Sequence, residues 1–277
     1  MSTLVIFRLT VQEARRRKLV WTALLLGLAF LAIYATGLYF MHRDAVAHID
    51  SGSTRLDVML NFFLMAGLYV VNFLLVMMAV LTPVDTLSGE IASHTIQSIV
   101  TKPLWRWEVV LGKWLGFAVM ISLYGIFMAG GVMAIVYTVT RYTVPGAWEG
   151  IMLMLLSGLT LLSVSILGGT RLSTLANGVL GFGLYGLAFI GGWIEQIGAL
   201  VRNETAVNLG ILTSLIMPGE ALWKRAAYQM QPPMIRELGF TPFSAASAPS
   251  DAMVVYAAMY LLVILGVALW SFQSRDL

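Results

Sequence analysis

Six long apolar runs constrain this chain more than anything else in it. They cover residues 19–41, 60–82, 109–139, 151–170, 175–197 and 252–272. A helix needs about 20 mostly apolar residues to cross the hydrocarbon core of a bilayer, and each run meets that length. Of the 277 residues, 59% are hydrophobic and 11% charged, whereas a soluble domain carries roughly 25% charged residues. The expected fold is all-α: a polytopic membrane protein of six transmembrane helices in one domain over residues 1–277. The third run is longer than a bilayer requires, which predicts tilt or projection from the membrane.

Lys and Arg near span ends set orientation. Arg15, Arg16, Arg17 and Lys18 precede the first run. The cluster looks like the start of a signal peptide, but the run behind it is too long and no A-x-A-like site follows, so it reads as a retained first span. The cluster places the N-terminus in the cytoplasm. Counting spans, residues 84–108 and the C-terminus are then cytoplasmic too, and the chain is multi-pass in the cell membrane. Leu4, Phe7, Val11 and Ala14 repeat at helical spacing among charged residues. Residues 1–18 are thus expected to form an amphipathic helix in the inner interface. The outer connection, 198–251, is much longer than a turn. Its stretch 206–217 is apolar but too short to span, and Pro218 ends it. Residues 219–230 can form an amphipathic helix with Leu222, Ala226 and Met230 on one side. This connection is expected to be a small outer cap, with room for an outer-face partner.

The span centres are almost free of ionisable residues, which excludes much. Glu195 and Lys113 lie near span ends. A proton- or sodium-coupled carrier would want carboxylates or broken helices near the midplane. His42, His48 and His94 all sit in connections, against a haem subunit, and the chain has no cysteine. No H-E-x-x-H zinc motif and no Walker A loop occur. The chain is therefore expected to have no catalytic residue, no metal and no cofactor of its own. Its basic residues are accounted for by topology, so nucleic acid is not an expected partner. Asn61, Asn72 and Asn177 read as helix–helix glue, and the glycines of the fifth span as close packing. Gly112, Gly116, Gly125 and Ala129 make a small-residue series on the third span that allows close helix approach.

One connection is too rich for a simple turn. SGEIASHTIQSIVTKPLWRWEVVLGKWLG, residues 88–116, holds acids, bases, three tryptophans and a proline between two spans. Asp85 or Ser88 can cap a helix start. Over 90–100, Ile91, Thr95, Ile96 and Ile99 lie along one side. Such a helix is too short to span and must lie at the membrane surface. Pro103 breaks it. Trp105, Trp107 and Trp114 suit the membrane–water boundary. Its chemistry fits either a docking element or an interfacial anchor without a partner.

The series Gly89, Glu90, Thr95, Pro103, Arg106, Glu108, Val109, Gly112 and Lys113 resembles the signature of ABC exporter permeases of the ABC-2 class. It is similar in particular to six-span permeases of the nitrous-oxide-reductase maturation and sodium-extrusion type. His94 and Trp105 depart from the usual pattern, which has glycine and serine there. The segment Pro218-Gly219-Glu220-Ala221-Leu222-Trp223 is similar to another recurring piece of that family. The resemblance implies that 84–108 is a coupling loop seated in a separate ATPase subunit, which binds ATP and Mg. It implies a second permease copy or homologous permease, with a pathway between the two lined by the first, second and fifth spans. Glu90, Thr95 and Gln97 would then contact the ATPase. Arg106, Glu108 and Lys113 would fix the loop against the N-terminal helix and the membrane surface, and Glu90 and Arg106 could form salt bridges within the loop or to the partner. The competing readings are a membrane anchor or assembly factor that docks a partner without transport, and an ATP-independent carrier.

Overall fold

A computed structural model describes residues 2–16, 18–48, 54–92, 105–237 and 249–275, and every regular element among them is a helix. α1 (Ser2–Arg16) precedes α2 (Lys18–His48). α3 (Thr54–Leu81) passes through a short turn into α4 (Thr86–Ala92). The remaining helices are α5 (Arg106–Thr140), α6 (Ala147–Arg171), α7 (Thr174–Leu200), α8 (Glu204–Ile216), α9 (Gly219–Gln229), α10 (Pro233–Glu237) and α11 (Asp251–Gln273). Among the described residues, six stretches are long and apolar enough to cross a membrane, and they are centred on α2, α3, α5, α6, α7 and α11. These are the six runs read from the sequence. At 1.5 Å per residue, the 35 residues of α5 extend about 52 Å, well beyond a hydrocarbon core of about 30 Å.

α6 is the hub, packing against α3, α5, α7, α9 and α11. Its composition explains why. Ser157, Gly158, Thr160, Ser163, Ser165, Gly168, Gly169 and Thr170 are all buried along it. Lipid tails are as apolar as leucine, so burying leucine from lipid drives little; small residues let neighbouring backbones approach and gain dispersion contacts. Hydroxyls in this series also cross-link helices. Trp114 Nε1 donates to Ser163 Oγ (2.9 Å), and Ser165 Oγ donates to the Val80 carbonyl (3.4 Å). By contrast, α2 and α11 leave most of their surfaces outward, as lipid-facing helices do.

Both chain ends lie at one end of this bundle, called here the terminus end. At the opposite, far end begins the 198–251 connection, of which 198–237 and 249–251 are described. The sequence predicts a small cap here, but one of its helices does not stay at the surface. α8 and α9 meet at a bend of 106° beside Pro218. α9 then enters the core: Leu222, Trp223, Ala226, Ala227 and Met230 belong to the main hydrophobic cluster. The polar side expected for this helix is buried as well, since Glu220 and Lys224 are 5% and 4% exposed. Glycines make room for it. A Cβ on Gly192 would meet Glu220 Cγ at 2.5 Å, and one on Gly150 would meet the Met230 side chain at 2.4 Å.

Candidate functional site

At the terminus end, α4 is held from two sides. Toward α5, Glu90 of α4 forms an ion pair with Lys113, two turns into α5. Lys113 is 4% exposed. A cation so placed is costly without its partner, so the pair fixes where α4 can sit. Toward α7, Thr174 Oγ1 donates to Asp85 Oδ1 (2.9 Å), and the Ser88 hydroxyl lies 2.9 Å from the same Thr174 oxygen. Asn177 Nδ2, one turn further along α7, donates to the carbonyls of Ser165 (2.9 Å) and Val84 (3.3 Å). The turn between α3 and α4 is thereby tied to α6 and α7. Asn177 does here what an amide in a span does best, joining three elements through backbone carbonyls.

The start of α5 is anchored separately. Trp105 N–H donates to Glu108 Oε2 (3.1 Å), so Glu108 serves the first turn of its own helix, as the third residue of a capping box does. Arg106 Nη1 donates to the Arg275 carbonyl (2.5 Å) at the end of α11. Arg275 in turn donates to the Thr170 carbonyl, and Arg171 donates to Ser271 Oγ and Ser274 Oγ, both at 2.9 Å. Arginines thus close the last turns of α6 and α11, where the helix dipole favours positive charge.

α1 completes the assembly. A Cβ on Gly112 would come within 2.8 Å of Ile6 Cβ, and one on Gly116 within 2.9 Å of Thr10 Cβ. Both glycines therefore form the bed of α1. Gly125 receives Leu75 and Leu155 instead, and Ala129 is buried in the main core.

Several expectations are corrected here. Glu90 does not pair with Arg106. It lies over Lys113, while the Arg106 guanidinium turns away to a carbonyl on α11. The short helix starts at Thr86, directly after Asp85, one of the two expected cap positions, and is described as far as Ala92. Thr95, Gln97 and Pro103 lie outside the described residues. On α1 the face turned to the protein is Ile6, Thr10 and Ala14, at 7%, 4% and 1% exposure, whereas Leu4 is 58% exposed. The glycines of the fifth span also divide. Gly181 and Gly191 are close-packed against Val80 and Thr213, but a Cβ on Gly183 or Gly186 would meet nothing within 4 Å.

A model of ABC-2 family transporter proteins matches residues 4–277. This chain belongs to that family. The match takes in α2 through α11 and nearly all of α1, so the family covers the far-end connection as well as the loop at 84–108. No curated protein matches the chain. As a family of transporter permeases, ABC-2 proteins form the membrane part of a transport system.

The far end holds a second polar group, which the sequence reading passed over. Lys224 Nζ donates to Glu195 Oε2 (2.8 Å) and to the Gly192 carbonyl (3.1 Å). Glu220, one turn before Lys224, is buried beside them, and its Oε2 has no hydrogen-bond partner among the described residues. Burial pushes the Glu220 carboxyl up to about 7; Lys224 opposes the rise and Glu195 adds to it. A Glu and a Lys four apart on a short helix look like a solvated pair. The one available hint was the place of Glu220 in the run Pro218–Trp223, which also carries the family likeness.

Proposed function

We propose that this chain is the permease subunit of an ATP-driven ABC exporter, working as a dimer, with residues 84–108 as the coupling loop that docks a separate ATPase. Its termini and this loop face the cytoplasm, and α1 lies in the inner membrane interface. The observation that carries the reading is the double attachment of α4. A partner that moves α4 pulls α5 through Glu90 and Lys113, and pulls α7 through Asp85, Ser88 and Thr174. α4 also continues directly from α3. One small helix thus moves three spans, as a coupling element must. A membrane anchor without transport has no use for such links to three spans. The ATPase supplies ATP and Mg, and this chain supplies the path.

Inside-out vesicles holding this permease and a candidate ABC ATPase from a neighbouring reading frame test the reading. ATP-dependent accumulation of a substrate, absent when either subunit is omitted, is the expected result. Accumulation without the ATPase would make the chain an ATP-independent carrier.

A further inference from the structure

A cavity of about 440 Å³ opens between α3 and α7. Tyr69, Phe73, Phe182, Tyr185 and Phe189 give it an aromatic lining, with Val70, Met77 and Gly186 between them. Aromatic contacts continue from it toward the far end. Tyr185 and Phe189 have ring centroids 6.4 Å apart, Phe189 and Trp193 are 6.5 Å apart, and Tyr69 meets Trp223 edge-on at 5.3 Å. Behind that wall lies Glu220, close enough to Tyr69 and Tyr185 to act on both phenols electrostatically. The charges facing Glu220 are Lys224 on α9 and Glu195 on α7, and those two pair with each other. Once Glu220 is ionised, two carboxylates and one ammonium leave one negative charge over, buried behind aromatic rings. The faces of aromatic rings attract cations, and most strongly where water is excluded.

We propose that this cavity is the binding site for a hydrophobic organic cation, its apolar body against Phe73, Phe182 and Phe189 and its charge held at the Tyr69 and Tyr185 rings in the field of Glu220. The proposal names the substrate class for the transport path and rests on the transport reading above. It follows from charge complementarity: an apolar lining alone would take any apolar molecule, but the uncompensated acid favours a positive one. It also accounts for Gly186. A Cβ there meets nothing within 4 Å, so the missing side chain leaves space in the cavity wall rather than room for a neighbouring helix. Proton and cation compete for the same carboxylate, so binding strengthens as pH rises and Glu220 ionises.

The test is equilibrium binding of labelled tetraphenylphosphonium to the purified full-length permease in nanodiscs of zwitterionic lipid, with neutral triphenylphosphine oxide as competitor. Saturable binding at pH 8 is expected, at least tenfold weaker at pH 5.5 and in Glu220→Gln, with poor competition by the neutral compound. Gly186→Leu fills the cavity from its open side and abolishes binding. If Glu220→Gln does not fold, the pH dependence of the unaltered protein and Gly186→Leu still decide. Equal affinity for the neutral compound, full binding by Gly186→Leu, or no binding by the folded permease would overturn the proposal. Because no ATPase is present, failure of the ATPase partnership leaves this result untouched. Conversely, ATP-driven export of some other compound with no phosphonium binding would overturn the cation assignment alone.

Discussion

A single buried carboxyl, Glu220, has the clearest consequence at the scale of the residue. Its folded-state pKa stands at about 7 against an ordinary 4.5, so the folded protein holds this proton more tightly than the unfolded chain. Stability from this group is fully present below about pH 4.5 and is lost as pH rises through about 7. Glu220→Gln keeps the shape and removes the titration. Thermal unfolding followed by tryptophan fluorescence is therefore expected to show the variant gaining on the unaltered protein between pH 5 and pH 8. Parallel pH profiles for the two would contradict this. The residue was not legible in the sequence because its burial is tertiary. Glu220 is inside only because Gly192 lets α9 press against α7, and nothing within residues 219–230 records that. Asn177 was legible, since an amide in an apolar run has few uses other than joining helices.

Among the elements, α1 and α4 depend on contacts with α5 that substitutions can break one at a time. Gly116→Leu pushes a side chain into Thr10. Overpacking of this kind costs about 1–3 kcal/mol. It is expected to lift α1 from α5 while the six spans remain. The chain has no native cysteine, so a single Ile6→Cys gives a clean readout: maleimide labelling should be slow alone and fast when Gly116→Leu is added. The α4 contact is tested by charge. Glu90→Lys sets two cations together and is expected to lower substrate-stimulated ATPase activity of the assembled transporter several-fold, with the permease still in the membrane. Lys113→Glu added to it restores the pair and most of the stimulation. A double variant as poor as the single one would show that the pair does not carry the motion. The Gly112 and Gly116 spacing told of close approach but not of what approaches. Which side of α1 meets the protein was not legible for a related reason. Leu4, Val5 and Leu9 face outward and Ile6 faces the protein, and an apolar residue suits lipid and protein neighbours alike. Hydrophobic pattern cannot separate those two surfaces in a membrane protein.

Over the whole molecule, the six spans were readable because bilayer thickness sets helix length, a constraint that acts on each run by itself. Their arrangement was not. α6 is the hub because its small residues admit neighbours from several sides, and which neighbours come depends on all the helices together. The far-end hairpin likewise reads as a surface piece until α9 is seen inside the core. The proposed function rests on a mechanical join to a motor. The most direct test is co-purification of the tagged permease with a candidate ABC ATPase from a neighbouring reading frame, for the unaltered chain and for one in which residues 88–103 are replaced by a Gly/Ser linker of equal length. The account predicts that the unaltered permease retains the ATPase in stoichiometric amount and that the linker variant, inserted in the membrane at the same level, loses it. Equal retention by both, or none by the intact permease, would contradict a coupling role for this loop.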